Sequence, residues 1–231
     1  MNDLQQRWRA VHERMAAACV AAGRDPGEVT LLAVGKQHPA SALRALHGLG
    51  QRAFGENRVP EALGKQDALA DLAIEWHFIG PVQSNKTRDL AARFQWVQSV
   101  DRDKILRRLA DQRPEHAGTL NLCLQVNIDR EPQKSGVDPD RVEPLAALAA
   151  EQPRLRLRGL MCLPRAGRGE SETRRSFARL RELQERLRSL GHDLDTLSMG
   201  MSGDLEWAIA EGSTMIRIGT DLFGPRPDRQ P

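Results

Sequence analysis

The sequence of 231 residues contains no tyrosine and only three cysteines, and aromatic residues make up 4% of it. Cys19, Cys123 and Cys162 lie far apart and belong to no motif with metal-ligand spacing, so we predict buried, reduced thiols and no metal site. No apolar run approaches the length of a transmembrane helix, and the amino terminus is polar and unlike a signal peptide. These absences predict a cytoplasmic protein without membrane segments.

Lysine is also scarce, because five of the 34 basic residues are lysines and the other 29 are arginines. The arginines are interleaved with Glu and Asp, as between Arg179 and Arg188, a pattern typical of solvent-exposed helix faces. The formal net charge is only +3 and there is no basic run, so we predict no nucleic-acid partner. With so few lysines, the position of each one is informative.

The chain alternates between short apolar segments and longer segments with helical spacing, which predict strands and helices respectively. The leading helix is predicted over residues 4–19. Strands are predicted at residues 29–34, 52–54, 74–79, 96–100, 120–128, 155–163, 196–199 and 215–218. Helices are predicted between them at residues 39–49, 59–70, 86–94, 102–112, 141–151, 173–190 and 205–211.

Eight strand–helix units without a linker predict one domain over residues 1–231, of the α/β class. The size is at the lower end of the range of (β/α)₈ barrels of TIM type, about 200 to more than 400 residues. We therefore predict a single barrel with an extra leading N-terminal helix, which would take the place of a helix after the eighth strand. A doubly wound open sheet is the alternative.

Small and polar residues follow the last two predicted strands. The segment Ser-Met-Gly-Met-Ser-Gly-Asp begins at Ser198 and leads into a helix, and Arg217-Ile-Gly-Thr ends the eighth strand. Backbone N–H groups of such segments bind anions, and loops after strands seven and eight form a phosphate site in many barrels. The alternative is that Ser202 only caps its helix and Gly219 only turns the chain. The occurrence of both segments at neighbouring strand ends favours a phosphate-binding site over these separate structural roles.

Lys36 follows the first apolar strand, which places its amine at the predicted barrel mouth. A partly desolvated lysine is a nucleophile toward aldehydes, whereas the alternative is a surface lysine at a strand end. A nucleophilic lysine and a phosphate site at the same barrel mouth indicate that the ligand is a phosphorylated carbonyl compound. Pyridoxal 5′-phosphate (PLP) fits, and so does a sugar phosphate in a Schiff-base aldolase.

Six motifs in this order closely resemble the pyridoxal-phosphate homeostasis protein family, whose fold is similar to the N-terminal barrel of alanine racemase. The resemblance covers the chain from the leading helix to Gly224. Gly35 stands where the family more often has serine, and Gln37-His38 replaces its usual threonine–lysine pair. The motifs are Leu-Ala-Val-Gly-Lys at 32–36, Phe-Gly-Glu-Asn at 54–57, Trp-His-Phe-Ile-Gly-Pro-Val-Gln-Ser-Asn-Lys at 76–86, Gly-Leu-Met at 159–161, Ser-Met-Gly-Met-Ser at 198–202 and Arg-Ile-Gly-Thr at 217–220.

The resemblance implies that PLP is held as an imine on Lys36 and that Arg217 faces the pyridine nitrogen. It further implies that Asn57 and His77 line the ring. The two glycine-containing motifs near the carboxyl terminus would bind the phosphate, and the cofactor-binding candidates from them are Ser198, Met201, Ser202, Gly219 and Thr220.

The resemblance to alanine racemase ends at the barrel, because that enzyme has a second, β-rich domain and a tyrosine as its other base. This sequence contains no tyrosine, and we expect His77 to be a hydrogen-bonded histidine and not a base. We therefore predict a non-enzymatic protein that buffers PLP and delivers it to apo-enzymes. A single-domain amino-acid racemase is the alternative. We expect a monomer, and Lys86 and Lys134 are either a secondary anion site or solvated loop lysines.

Overall fold

The computed structural model describes residues 3–225, in which eight parallel strands form a closed barrel in chain order. The strands are β1 (Thr30–Val34), β2 (Ala53–Glu56), β3 (Glu75–Phe78), β4 (Trp96–Val100), β5 (Leu120–Val126), β6 (Leu155–Cys162), β7 (Thr196–Ser198) and β8 (Met215–Ile218). The helices are α1 (Asp3–Ala21), α2 (Ala40–Gly48), α3 (Val59–Ala68), α4 (Thr87–Arg93), α5 (Asp103–Gln112), α6 (Val142–Ala150), α7 (Glu170–Ser189), α8 (Leu205–Ala210) and α9 (Thr220–Phe223).

The barrel closes where β1 pairs in parallel with β8, with Leu31 opposite Ile216 and Leu32 opposite Arg217. β1 also pairs with β2, so it has a neighbour on each side. Four consecutive residues of β1 are buried, as expected for a strand covered on both faces. The closed sheet confirms the prediction of a TIM-type barrel and excludes the open sheet.

The leading helix α1 packs against α8 and α9, where it fills the ring of helices beside β8. Its buried face carries Val11, Met15 and Cys19, at the helical spacing read from the sequence. The four-residue helix α9, which the sequence pattern did not predict, follows β8 directly. The leading helix therefore occupies the predicted place in the ring of helices, after the eighth strand, together with the short helix α9.

Strand boundaries differ from the predictions most where polar residues are buried. β2 was predicted to end at Phe54 but continues through Glu56, because Gly55 and Glu56 pair with His77 and Phe78 of β3. A glutamate at the end of a strand is normally exposed, whereas this side chain is completely buried. The buried carboxyl group is paired with Lys65 of α3.

The apolar core lies between the barrel and its helices. All three cysteines are free and buried, which confirms the prediction of structural thiols. Burial raises the pKa of Cys123 and of Cys162 to about 12, so both thiols stay protonated near neutral pH. Within residues 3–225, no helix is long and apolar enough to cross a membrane, and no cluster of His, Cys, Asp and Glu has the arrangement of a metal site.

Candidate functional site

A cavity of about 440 Å³ opens at the carboxyl ends of the strands. In barrels of this type the chemistry occurs at this end. A larger depression of about 600 Å³ lies beside α6 and α7, where Arg186 pairs with Glu143 and Arg130 pairs with Asp140. The strand-end cavity is lined by Val34, Lys36, Asn57, Ile79, Gly80, Pro81, Met161, Leu163, Met201, Ser202, Gly203, Arg217, Gly219 and Thr220.

Seven of the nine residues predicted from the sequence line this cavity, and two do not. His77 and Ser198 are completely buried inside the barrel and are absent from the cavity wall. The His77 side chain is hydrogen-bonded inside the barrel with Glu75 and Gln98, and its contact with a bound ring stays a prediction. The seven that meet at the cavity are Lys36, Asn57, Met201, Ser202, Arg217, Gly219 and Thr220.

Lys36 lies two residues beyond β1, in a backbone segment held on both sides by a buried ionic cluster. Lys65 of α3 donates a 2.7 Å hydrogen bond to the carbonyl oxygen of Gly35, the residue before Lys36. The backbone N–H of Gln37, the residue after it, donates to Glu61 Oε1 at 2.5 Å. Gln37 has a φ of +65°, a left-handed conformation that a glutamine adopts only at a cost of about 1–3 kcal/mol. The cluster thus fixes the chain on either side of the lysine.

Glu56 is the fully buried member of this cluster. Lys65 Nζ lies 2.7 Å from Glu56 Oε1 and 2.6 Å from Glu61 Oε1, so one ammonium group serves two carboxylates. Burial raises the pKa of Glu56 to about 7, although the charge of Lys65 acts in the opposite direction. The second oxygen, Oε2, is buried without a hydrogen-bond partner among the described residues. The Phe-Gly-Glu-Asn motif at residues 54–57 therefore contains, in Glu56, a carboxyl group whose pKa lies near neutral pH.

The loop after β7 turns sharply at Gly200, which has a φ of +97°. A Cβ at this position would lie 2.5 Å from Ala208 Cβ, so only glycine allows the loop to approach α8. The backbone N–H of Met201 donates to Asp204 Oδ1 at 2.6 Å, and it is therefore engaged within the loop. Among the loop and turn hydrogen bonds of residues 3–225, none uses the N–H groups of Ser202, Gly203 and Thr220, three residues that line the cavity.

Arg14 of α1 connects the two segments after β7 and β8 that were predicted to bind phosphate. Its Nη2 donates to the carbonyl oxygen of Ser202, and its Nη1 donates to Asp221, both at 3.0 Å. The same guanidinium pairs with Glu206 of α8. Arg14 was not among the predicted site residues, because nothing in a local pattern links an arginine of the leading helix with loops about 190 residues away. The leading helix therefore supports the site as well as the ring of helices.

Asn57 reaches the cavity wall through a close contact with the loop after β3. The carbonyl oxygen of Asn57 would lie 2.2 Å from a Cβ at position 80, so Gly80 cannot carry a side chain without moving the backbone. The hydroxyl group of Ser99 donates to the carbonyl oxygen of Gly80 and holds this loop from the other side. Gly80, which belongs to the longest motif, thus sets the distance between the two loops.

Gly80→Ala is expected to lower the free energy of unfolding by about 1–3 kcal/mol, because the added methyl group forces the backbone of Asn57 away. Gly64→Ala is the matched control, since no atom lies within 4 Å of a Cβ there and alanine favours the helix α3. Denaturant unfolding of both variants measures the difference. Equal stability of the two variants would show that the close contact does not constrain the loop.

Arg217 is nine-tenths or more buried and enters the cavity wall from β8. Its Nη1 donates to the carbonyl oxygen of Ser198 at 2.6 Å and to the hydroxyl oxygen of Ser198 at 2.8 Å, and its Nη2 donates to the carbonyl oxygen of Cys162 at 2.9 Å. Burial lowers the pKa of Arg217, but an arginine stays protonated at neutral pH. Arg217 therefore presents a cation with a fixed orientation.

The two other lysines considered from the sequence have different positions. Lys86 lies beside Arg58 in a smaller depression of about 290 Å³, which shares Asn57 and Pro81 with the main cavity. Lys134 Nζ lies 2.6 Å from Glu131 Oε1 and donates to the carbonyl oxygen of Pro164 at 3.0 Å. Lys134 thus ties the loop after β5 to the loop after β6, and a secondary anion site at these lysines stays a prediction.

A closed eight-stranded barrel with a lysine after β1 and a polar cradle after β7 and β8 defines the class of the alanine racemase barrel. Residues 5–227 match the family model described as alanine racemase, N-terminal domain. Among solved structures, alanine racemase from Corynebacterium glutamicum superposes with a TM-score of 0.70 at 17% identity, over 96% of this chain and 63% of that one. At this identity the likeness concerns the fold.

Closer relatives define the family. The pyridoxal phosphate homeostasis protein of Pseudomonas aeruginosa is 54% identical over 226 residues, which are 98% of this chain and 97% of the relative. The protein of that name from Escherichia coli is 47% identical over 98% of both chains. PipY of Synechococcus elongatus, solved with PLP bound, has a TM-score of 0.81 at 39% identity and covers 91% of this chain and 100% of its own. The chain belongs to the pyridoxal phosphate homeostasis protein family.

Proposed function

We propose that this protein binds PLP covalently through Lys36 and acts in PLP homeostasis in the cytoplasm, by buffering the cofactor and delivering it to apo-enzymes. The observation that carries the proposal is the composition of the cavity wall. One side chain with a nucleophilic amine, one buried arginine and a set of unused backbone N–H groups meet there. The names of the relatives and the PLP-bound neighbour PipY support the same ligand.

The residues present fit the two ends of this cofactor. At one end, the hydroxyl groups of Ser202 and Thr220 and the unused N–H groups of the loops after β7 and β8 suit a phosphate group. At the other end, Lys36 supplies a primary amine, and its flanking residues are fixed by Lys65 and Glu61. When bound, PLP supplies an aldehyde that condenses with such an amine. Asn57 and Arg217 line the same cavity and would contact the ring of the bound cofactor.

Apart from Lys36, the described residues of the cavity wall include no side chain suited to act as a second base. Among the described residues that line the cavity there is no histidine, aspartate, glutamate or cysteine, and the sequence has no tyrosine. Racemisation at an amino acid's α-carbon needs a positioned base on each of the two faces. Lys36 is suited to one face only. The wall therefore supports a role in holding the cofactor without robust turnover.

Arg217 supports the same conclusion through its permanent charge. Because arginine donates hydrogen bonds and does not give up its proton, it leaves a ring nitrogen unprotonated. An unprotonated pyridine ring withdraws electrons less strongly than a protonated ring that is paired with a carboxylate. In this proposal Arg217 orients the ring and makes the bound cofactor a weaker electron sink.

The test is the visible absorption spectrum of the purified protein with and without added PLP. We expect a new visible band that saturates with PLP. Pyridoxine 5′-phosphate, which has the phosphate but no aldehyde, is expected to compete without producing the band, and pyridoxal, which lacks the phosphate, to bind much more weakly. A protein whose spectrum never changes with PLP would contradict the proposal.

A measurement of α-deuterium exchange on a panel of amino acids tests the non-enzymatic part separately. We expect the PLP-loaded protein to exchange no faster than free PLP at the same concentration. The control is a PLP solution with the Lys36→Ala variant added. Sustained exchange above this control would establish the racemase alternative and would leave the binding part of the proposal intact.

A further inference from the structure

The interior of the barrel contains a continuous line of hydrogen-bonded polar side chains that starts at Arg217 and ends at the opposite mouth. Arg217 Nη1 donates to Ser198 Oγ at 2.8 Å, and Ser198 Oγ donates to Gln98 Oε1 at 2.6 Å. Gln98 Nε2 lies 2.8 Å from His77 Nδ1, and His77 Nε2 lies 2.8 Å from Glu75 Oε1. We call these five residues the axial chain.

The donors of the axial chain all point in one direction. Arg217 only donates hydrogen bonds, and a glutamate carboxylate such as that of Glu75 only accepts them. The amide nitrogen of Gln98 donates to His77 Nδ1 and also to the sulfur of Met215 at 3.0 Å, which occupies both of its hydrogens. His77 Nδ1 is therefore an acceptor, and the proton of the neutral imidazole is on Nε2, directed at Glu75.

The environment keeps His77 in this neutral form. The imidazole is completely buried and stacked on Trp96, with ring centroids 5.0 Å apart. Burial lowers the pKa of His77, although the hydrogen bond with Glu75 acts in the opposite direction. A protonated imidazole would turn a second N–H group toward the amide nitrogen of Gln98, where it finds no acceptor. The direction of the chain and the neutral histidine therefore require each other.

The axial chain bears on the cavity through Ser198. The guanidinium of Arg217 is held by Ser198 and by the carbonyl oxygen of Cys162, so its orientation depends on these two residues. Ser198 Oγ is an acceptor for Arg217 because its own proton is given to Gln98. If the amide of Gln98 were reversed, the hydroxyl would face a donor on both sides. With a neutral His77, the acceptor-only group at the far end excludes that reversal, because the ring has a single proton and Glu75 requires it.

Resting on the proposed function, we propose that Ser198, Gln98, His77 and Glu75 are positioning residues that set the orientation of Arg217 toward the bound cofactor from the opposite mouth of the barrel. The axial chain has a cation at one end and an anion at the other. Hydrogen bonds in such a chain polarise and strengthen one another. Glu75 is the partly exposed end, with 46% of its side chain exposed. The electronic state of the ring thus depends on a carboxylate outside the cavity.

The experiment compares Gln98→Met, Glu75→Gln and the double variant with the wild-type protein by PLP titration and by the absorption band of the bound cofactor. Methionine keeps the volume of Gln98 and removes both of its links. We expect about fivefold to tenfold weaker binding and a displaced band for Gln98→Met, which corresponds to the loss of about one hydrogen bond between neutral groups. We expect a smaller change of the same kind for Glu75→Gln, and no change for the exposed control Glu115→Gln.

The double variant distinguishes a chain from independent effects. Since Gln98→Met interrupts the chain, Glu75→Gln is expected to add nothing in that background. Additive effects, an unchanged band in Gln98→Met, or a Glu75→Gln variant that behaves as Glu115→Gln would each overturn the proposal. Should Gln98→Met not fold, Ser198→Ala interrupts the chain one residue nearer to Arg217. A wild-type protein that binds no PLP would instead contradict the proposed function.

The protein without cofactor provides a second readout. Nitrogen NMR of the His77 imidazole is expected to show a neutral ring protonated at Nε2 in the wild-type protein and a mixture of the two forms in Glu75→Gln. A wild-type ring protonated at Nδ1 would overturn the proposed direction of the chain.

Discussion

Lys36→Ala is expected to abolish the covalent adduct that borohydride fixes between PLP and the wild-type protein. Lys36 is the one lysine among the described residues that line the cavity, and the fixed backbone on either side of it directs its amine there. The measurement is intact-protein mass after reduction, followed by peptide mapping. We expect one cofactor on Lys36 in the wild-type protein and none in the variant.

Two further variants make this result specific. Lys104→Ala changes an exposed lysine of α5 and is expected to retain the full adduct. Lys36→Arg keeps a positive charge that cannot form the bond, so we expect PLP to bind reversibly through its phosphate without a fixed adduct. An adduct that persists in Lys36→Ala and maps to Lys134 would show that the covalent role belongs to Lys134 in the loop after β5. This result would contradict the proposed role of Lys36.

Glu56→Gln is expected to make the protein more stable than the wild type at alkaline pH, by about 3 kcal/mol, and equally stable near pH 4. The pKa of Glu56 is raised from 4.5 to about 7 in the folded protein, mainly by burial. Between these two values the folded state holds a proton that the unfolded state has lost, so stability falls as the pH rises through this window. Each unit of pKa displacement corresponds to about 1.4 kcal/mol. Glutamine imitates the protonated form and removes this loss.

Denaturant unfolding of both proteins at several pH values between 4 and 9 measures the effect. The difference between the two curves isolates Glu56, because the other titrating groups are present in both proteins. Glu115→Gln, an exposed carboxylate on the outside of the barrel, serves as the control and is expected to follow the wild type. A variant that loses stability relative to the wild type as the pH rises would show that the pairing with Lys65 outweighs burial.

The architecture could be predicted from the sequence because its signals are local. Continuous apolar segments such as residues 31–34 indicate strands that are covered on both faces, and their regular alternation with helices indicates a parallel barrel. The motifs at the ends of β1, β2, β7 and β8 indicated seven of the residues that meet at the cavity. Local patterns of this kind depend only on neighbours along the chain.

The contacts that the sequence did not reveal join residues far apart in the chain. Glu56 was not recognised as buried, since its partner Lys65 comes from the following helix and approaches only when α3 packs on the barrel. Arg14 reaches the loop of Ser202 for the same reason. His77 was expected beside a bound ring, but its strand directs it into the barrel toward Gln98.

The alternation of apolar and helical segments predicted the barrel, and the scarcity of lysine drew attention to one amine at its mouth. The absence of tyrosine, together with the resemblance to alanine racemase, predicted that the second base of that enzyme is missing. Which polar groups face that amine is a matter of side-chain direction, and direction depends on the register of eight strands closing on one another. Burial then decides the chemistry of those groups, because the same carboxyl is an ordinary acid in water and holds its proton to about pH 7 inside the fold. That difference in environment exists only in the tertiary structure.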